Sequence, residues 1–185
     1  MNNFEQVLQA LRNGQVIAYP TEGVFGIGCD PDDSGAIMKL LTIKRRSAEK
    51  GLILIAASYD QLLPYIDDTQ LSDAQLQAVK GSWPGPVTWI IPASERVSSL
   101  VCGQFDSVAV RVTDHPLVQQ LCRVYEKPIT STSANLSGYP PCKTTDQVEQ
   151  QLGNTDVVIL AGNTGGRDNP SEIRDAISGK VLRQG

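Results

Sequence analysis

An α/β domain built on a mixed sheet is the fold the sequence predicts, and three observations predict it. Helical periodicities alternate with short β-rich runs along the chain; Leu52-Ile53-Leu54-Ile55-Ala56 is an unbroken apolar run of the kind that fills a buried strand; and the last two short runs are joined too tightly to pair in parallel. At 185 residues the chain fits one domain, 1–185, with enough sequence to bury a sizeable core.

Taken in order, Phe4, Val7, Leu8 and Leu11 recur at helical spacing, so a helix is expected over 3–13, closed by Asn13-Gly14. Gln15–Tyr19 reads as a strand stopped by Pro20, and Thr21–Gly28 as an exposed connection whose three glycines allow close approach of backbone to a ligand. Asp33 or Ser34 caps a helix through Ile37, Leu40 and Leu41 that ends at a basic cluster. The strand 52–56 follows, then helices near 58–64 and 72–80, then the break Trp83-Pro84-Gly85-Pro86 and a strand at 87–91. Ser107–Val112 is a further strand; Asp114-His115-Pro116 opens a helix with the stripe Leu117, Val118, Leu121, Val124. Pro128–Thr132 returns as strand and delivers Ser133 to the mouth of the sheet, and a helix near 144–152 with strands near 156–160, 172–177 and 180–183 completes the chain.

Charge excludes some functions. Sixteen Lys and Arg against twenty Asp and Glu leave a net −4, so no global field draws the surface onto nucleic acid and an anionic ligand must be held locally. Cys29, Cys102, Cys122 and Cys142 are far apart, and with the single His115 they make no zinc spacing, so reduced thiols in a cytoplasmic protein are expected and no metal ligand is assigned. The N-terminus has no basic start followed by an apolar core, and no apolar run reaches the roughly 20 residues that cross a bilayer, so export and membrane insertion are not expected.

Two separated segments suit phosphate. Lys44-Arg45-Arg46-Ser47-Ala48-Glu49-Lys50 packs four cations into seven residues, and Ser131–Gly138 offers hydroxyl and amide donors at a strand-to-loop junction. Read blandly, the first is a solvated helix end and the second an ordinary turn. Their combination favours a polyphosphate site, with Arg46 as a planar fork, Lys50 as a compact charge, and Ser133 and Asn135 as donors. Arg111, at a strand end, is equally a carboxylate partner or half of a structural salt bridge. His115 reads as a helix-start residue rather than a catalytic base. Neither a Walker loop nor a dinucleotide fingerprint is present, and one histidine without a Gly-x-Ser-x-Gly elbow gives a serine-hydrolase triad little support. What is left is an electrostatic site in which charged groups and a metal position phosphates.

Beyond these residues the chain resembles the YrdC-type family of threonylcarbamoyl-AMP synthases, in its short single-domain bacterial form. The resemblance is carried by Tyr19-Pro20-Thr21-Glu22, Phe25–Asp30, Lys44-x-Arg46 with Lys50-Gly51, Trp83–Thr88, Val110-Arg111-Val112, Ser131–Gly138, Asn169–Ile173 and Leu182–Gly185. Gly23, Phe25, Ile55 and Gln184 depart from the residues usual in the family.

The resemblance implies a YrdC-like fold, a twisted, open mixed sheet with flanking helices and a basic concave face. It implies that L-threonine, bicarbonate or CO2, and ATP with Mg2+ are turned into threonylcarbamoyl-AMP and pyrophosphate for the N6-threonylcarbamoyladenosine modification of tRNA. Carried over residue by residue, Lys44, Arg46 and Lys50 hold and neutralise the phosphates with Ser133 and Asn135. Arg183 reaches the nucleotide, Ser107 and Pro141 lie near it, and Thr21, Arg111, Ser131 and Ser171 form the threonine pocket. A downstream threonylcarbamoyl-transferase complex, tRNA as a candidate contact, and a monomeric cytoplasmic state follow from the same resemblance. The rival is an RNA-binding or ribosome-assembly module that uses the basic cluster without turnover.

Overall fold

The computed structural model describes residues 2–185. Helix α1 (Asn3–Arg12) starts at a capping box: the Asn2 side chain accepts from the Glu5 backbone while the Glu5 carboxylate accepts from the Asn2 backbone N–H, satisfying two otherwise orphaned donors. There follow β1 (Ile17–Pro20), β2 (Phe25–Gly28), α2 (Ser34–Lys44), β3 (Ile53–Ala56), α3 (Tyr59–Leu62), α4 (Asp73–Gly81), β4 (Val87–Pro92), α5 (Ser99–Cys102), β5 (Ser107–Val112), α6 (Pro116–Tyr125), β6 (Ile129–Ser133), α7 (Thr145–Leu152), β7 (Val158–Ile159), β8 (Glu172–Asp175) and β9 (Val181–Arg183).

The nine strands form one mixed sheet in the order β7-β1-β2-β6-β3-β5-β4-β8-β9. Three pairs are parallel, β7 with β1, β3 with β5 and β4 with β8; the others, including the final β8–β9 hairpin, are antiparallel. Period two sorts the side chains between faces. Leu54 and Ala56, Val108, Val110 and Val112, and Trp89 and Ile91 join the larger core with Ile37 and Leu40 of α2 and Val148 and Leu152 of α7. Ile17, Tyr19, Ile55 and Ile129 turn the other way, under Val7, Leu8 and Leu11 of α1 and Val118, Leu121 and Cys122 of α6. Helices α1 and α6 cover only part of that second face. The rest of it is the floor of the cavity described below.

One expectation fails and one element is new. Thr21–Gly28 is not an exposed connection: Phe25–Gly28 is a strand, and every one of these eight residues is buried. The glycines serve contact between strands, since a Cβ on Gly28 would stand 1.7 Å from the Thr130 carbonyl oxygen and one on Gly26 2.8 Å from the Tyr19 ring. The short helix α5 was not expected. The cysteines are free and buried, and His115 is the N-cap of α6: its Nδ1 accepts from the Leu117 backbone, so its proton sits on Nε2, which donates to the Asn163 carbonyl at 2.7 Å.

Candidate functional site

A cavity of about 480 Å3 opens on the uncovered part of the sheet, within the range of small-molecule sites. Its floor follows from strand register. Ser131, Ile53, Ala109, Ile90 and Asp175 sit side by side across β6, β3, β5, β4 and β8, and all five line it. Two residues along each strand the same face returns, which adds Arg111 and Ser107 on β5, Ser133 on β6 and Ile173 on β8. The walls come from Thr21, Val24 and Phe25 on one side, Arg46, Lys50, Gly51 and Leu52 with Val101, Cys102 and Phe105 on another, and Pro170, Ser171, Leu182 and Arg183 at the β8–β9 end.

Helix α2 aims the cations. It ends with Arg45 in the left-handed conformation, φ 50°, and the Arg46 N–H returns to the Leu41 carbonyl at 3.0 Å, so Arg45 faces solvent while Arg46 turns into the cavity wall. Arg46 Nη2 donates to the Gly51 carbonyl at 3.1 Å, and burial lowers its pKa. Lys50 is exposed at the rim. Lys44 is buried and stands behind the wall: Nζ donates to the Ser133 and Asn135 carbonyls and to Asn135 Oδ1 at 2.6, 2.9 and 2.9 Å. Burial first, then the charges of Arg46 and Lys50, push its pKa down to about 8. Asn135 Oδ1 also accepts from Ser133 Oγ, and its amide donates to the Leu136 and Tyr139 carbonyls. The amide expected to reach phosphate is therefore spent inside the loop. Pro141 is exposed on the same loop, and none of Lys44, Asn135 or Pro141 lines the cavity.

The other end of the site is built on Arg111. It is 5% exposed and its Nη1 donates to Glu22 Oε2; the carboxylate also accepts from Thr113 Oγ1 at 2.8 Å. Burial alone would raise Glu22, but the Arg111 charge and the hydrogen bonds from Arg111 and Thr113 outweigh it and hold Glu22 below the ordinary carboxylate value. Of the two sequence readings of Arg111, the salt bridge is present, to Glu22, and the residue also lines the cavity. Ser171 Oγ shares a hydrogen bond with the buried Thr88 hydroxyl at 2.7 Å, and Arg183 reaches back to the Ser171 carbonyl through Nε and Nη2 at 3.0 and 2.7 Å. Burial, then the charge of Arg111, lowers the pKa of Arg183.

Among the described residues, two buried side-chain polar atoms lack any hydrogen-bond partner, and they are Nε of Arg46 and Nε of Arg111. Buried N–H groups are paired almost without exception, so two such donors in the walls of one cavity are available to acceptor oxygens. Thr21, Arg46, Lys50, Ser107, Arg111, Ser131, Ser133, Ser171 and Arg183 all line this space. Sequence reasoning missed Phe105, Leu182 and Asp175. Strand parity from Ser171 would have found Asp175, four residues on, whereas Phe105 and Leu182, at 53% and 57% exposed, look like ordinary surface. No group of three or more His, Cys, Asp or Glu that could cage a metal occurs among the described residues, and Asp175 is the one acid lining the cavity. Nor is any helix among them long and apolar enough to cross a membrane.

Fold and cavity together define a mixed-sheet α/β protein with a cleft on one sheet face lined by three arginines, Arg46, Arg111 and Arg183. The profile of the Sua5_yciO_yrdC family, described as telomere recombination, matches residues 9–185, and the chain belongs to that family. A threonylcarbamoyl-AMP synthase of Vibrio parahaemolyticus is 69% identical over 185 residues, the whole of both chains. The structure of P. abyssi Sua5 complexed with L-threonine superposes with TM-score 0.85 at 30% identity, over 95% of this chain and 52% of that one. E. coli YciO shares the fold, with TM-score 0.84 at 23% identity over 98% of this chain and 88% of that one.

Proposed function

We propose that this protein is a nucleotidyltransferase that joins L-threonine, bicarbonate or CO2, and ATP into threonylcarbamoyl-AMP and pyrophosphate, for the N6-threonylcarbamoyladenosine modification of tRNA. The observation that carries the reading is the pair of unpartnered guanidinium Nε groups in one cavity, which this reading assigns to a phosphate and a carboxylate. Full-length relatives named threonylcarbamoyl-AMP synthase, 60–69% identical, support it.

In this reading Arg46 and Lys50 take the phosphates, the Ser133 hydroxyl joins them by turning its proton from Asn135 Oδ1 to a phosphate oxygen, and Arg183 and Ser107 lie along the nucleotide. Lys44 and Asn135 brace the loop that presents Ser133, the Lys44 charge acting from behind it, and Pro141 borders the same loop. Arg111 receives the threonine carboxylate, with Thr21, Ser131 and Ser171 around the rest of the amino acid. Threonine's amine captures the carbon source as a carbamate, releasing water when that source is bicarbonate. A carbamate oxygen then bonds to the α-phosphorus, the bond to the β-phosphate oxygen breaks, and pyrophosphate leaves. No protein nucleophile is needed. The cations stabilise charge on the leaving group, a contribution of about several kcal/mol in such sites. Among the described residues no group of three or more His, Cys, Asp or Glu forms a cage for Mg2+, which would arrive on the nucleotide's own phosphate oxygens and waters.

The RNA-binding alternative is not favoured. Its cation cluster is partly withdrawn from the surface, with Lys44 buried and Arg46 in the cavity wall, and the net charge is −4. The deciding experiment incubates the protein with ATP, Mg2+, L-threonine and labelled bicarbonate and seeks a labelled threonylcarbamoyl nucleotide by mass spectrometry. Its absence, with tight ATP-independent tRNA binding that weakens steeply with salt, would reverse the choice.

A further inference from the structure

We infer that Glu22 is the positioning residue for Arg111, gripping one edge of the guanidinium so that the opposite edge, Nε with Nη2, is presented to the carboxylate of the amino-acid substrate. The inference rests on the assignment of Arg111 to that carboxylate. Glu22 is 4% exposed and does not line the cavity, so it touches no substrate.

Both of its oxygens are fixed. Oε2 accepts from Arg111 Nη1 and, at 3.4 Å, from the Asp114 backbone N–H; Oε1 accepts from Thr113 Oγ1, a hydroxyl that is itself fully buried and accepts from the His115 N–H. The Glu22 backbone is pinned as well, through Arg167 N–H to its carbonyl at 3.1 Å and Gly165 N–H to the Thr21 carbonyl at 2.9 Å. Beside it, a Cβ on Gly23 would stand 2.1 Å from the Asn169 carbonyl oxygen, so the chain over this residue has no slack.

Arg111 has spent Nη1 on this carboxylate. Among the described residues its Nε is buried without a partner and its Nη2 has no protein acceptor. Nε–H and one Nη2–H run parallel, the fork that matches the two oxygens of a carboxylate. The Glu22–Arg111 pair is neutral as a whole. Recognition of the substrate carboxylate is then a matter of two aligned N–H bonds, not of net charge, and Glu22 supplies the alignment.

Alignment and charge predict opposite results for Glu22→Gln, which adds one positive charge to the site while loosening the grip. If Glu22 positions Arg111, the variant raises the KM for L-threonine about tenfold or more, leaves the KM for ATP within about twofold, and loses a comparable factor in its preference for L-threonine over L-threoninol, which lacks the carboxylate. An unchanged or lowered threonine KM overturns the inference, as does a parallel rise of both KM values. Thr113→Val keeps the charge and removes only the hydroxyl behind Glu22. It should raise the threonine KM by about threefold without moving that of ATP, and a wild-type value there also overturns the inference. Arg111→Lys separates the underlying assignment: if it keeps wild-type threonine KM and preference, the carboxylate is bound elsewhere and the reading of the pocket itself fails.

Discussion

Replacing Arg111 by methionine strands the Glu22 carboxylate inside the protein. Leaving one member of a buried ion pair uncompensated costs about 3–5 kcal/mol as a rule, but a carboxylate can escape by taking up a proton. For a group whose ordinary value is 4.5, forced protonation at pH 7 costs about 3.4 kcal/mol, which caps the penalty, and the cap falls by about 1.36 kcal/mol for each unit of lower pH. The two remaining donors, Thr113 Oγ1 and the Asp114 N–H, offset part of it, so Arg111→Met should lose about 2–3 kcal/mol at pH 7 and under about 1 kcal/mol at pH 5. The sign is checked by the proton count. In the variant the folded Glu22 pKa lies above the unfolded one, so the folded state binds more protons and stability recovers as pH falls. In the wild type the folded value is depressed, and Glu22 is largely ionised in both states over this range. Urea unfolding of both proteins at pH 5, 6 and 7 measures the difference. A loss that does not vary with pH, or is under about 1 kcal/mol at pH 7, would refute the account of a buried, compensated pair.

Other consequences can be checked more briefly. Lys44, with its pKa lowered to about 8, should regain a proton when phosphates arrive nearby, so ATP binding near pH 9 should take up protons, read as a buffer-dependent enthalpy in titration calorimetry; no buffer dependence would contradict the placement of the phosphates. Gly28→Ala drives a methyl into the Thr130 carbonyl, so its thermal midpoint should fall by about 10 °C or more, and a midpoint within about 2 °C of wild type would refute the strand contact. Arg45→Gly relieves a left-handed arginine on an exposed helix end and should stabilise the protein by about 0.5–1 kcal/mol in urea unfolding, with ATP affinity unchanged because Arg45 does not line the cavity.

Helix periodicity, capping signals and apolar runs were enough to place most elements, because α1, α2, α6 and α7 each carry a stripe and a cap within their own sequence. Phe25–Gly28 was misread since its glycines signal a turn locally, and only the neighbouring Tyr19 ring and Thr130 backbone reveal why a strand there has no room for side chains. The candidate site followed the same division. Arg46, Lys50, Arg111 and Ser133 were legible as charges and donors at element ends, whereas the inward turn of Lys44 and Asn135 depends on a buried ammonium finding three oxygens, a requirement no local pattern encodes. Glu22 was quoted only as part of a motif; its partners lie 89 and more residues away.

Because the cavity floor is woven from hydrogen-bonded strands, groups such as Ser131, Ala109 and Arg111 keep their spacing whichever molecule lies on them. Adaptation to a different amino acid or nucleotide has to come from the borders, the α5 segment with Phe105 and the terminal β8–β9 hairpin with Leu182 and Arg183. Attempts to widen the range of acceptable amino acids are therefore best aimed at those margins, leaving the woven base untouched.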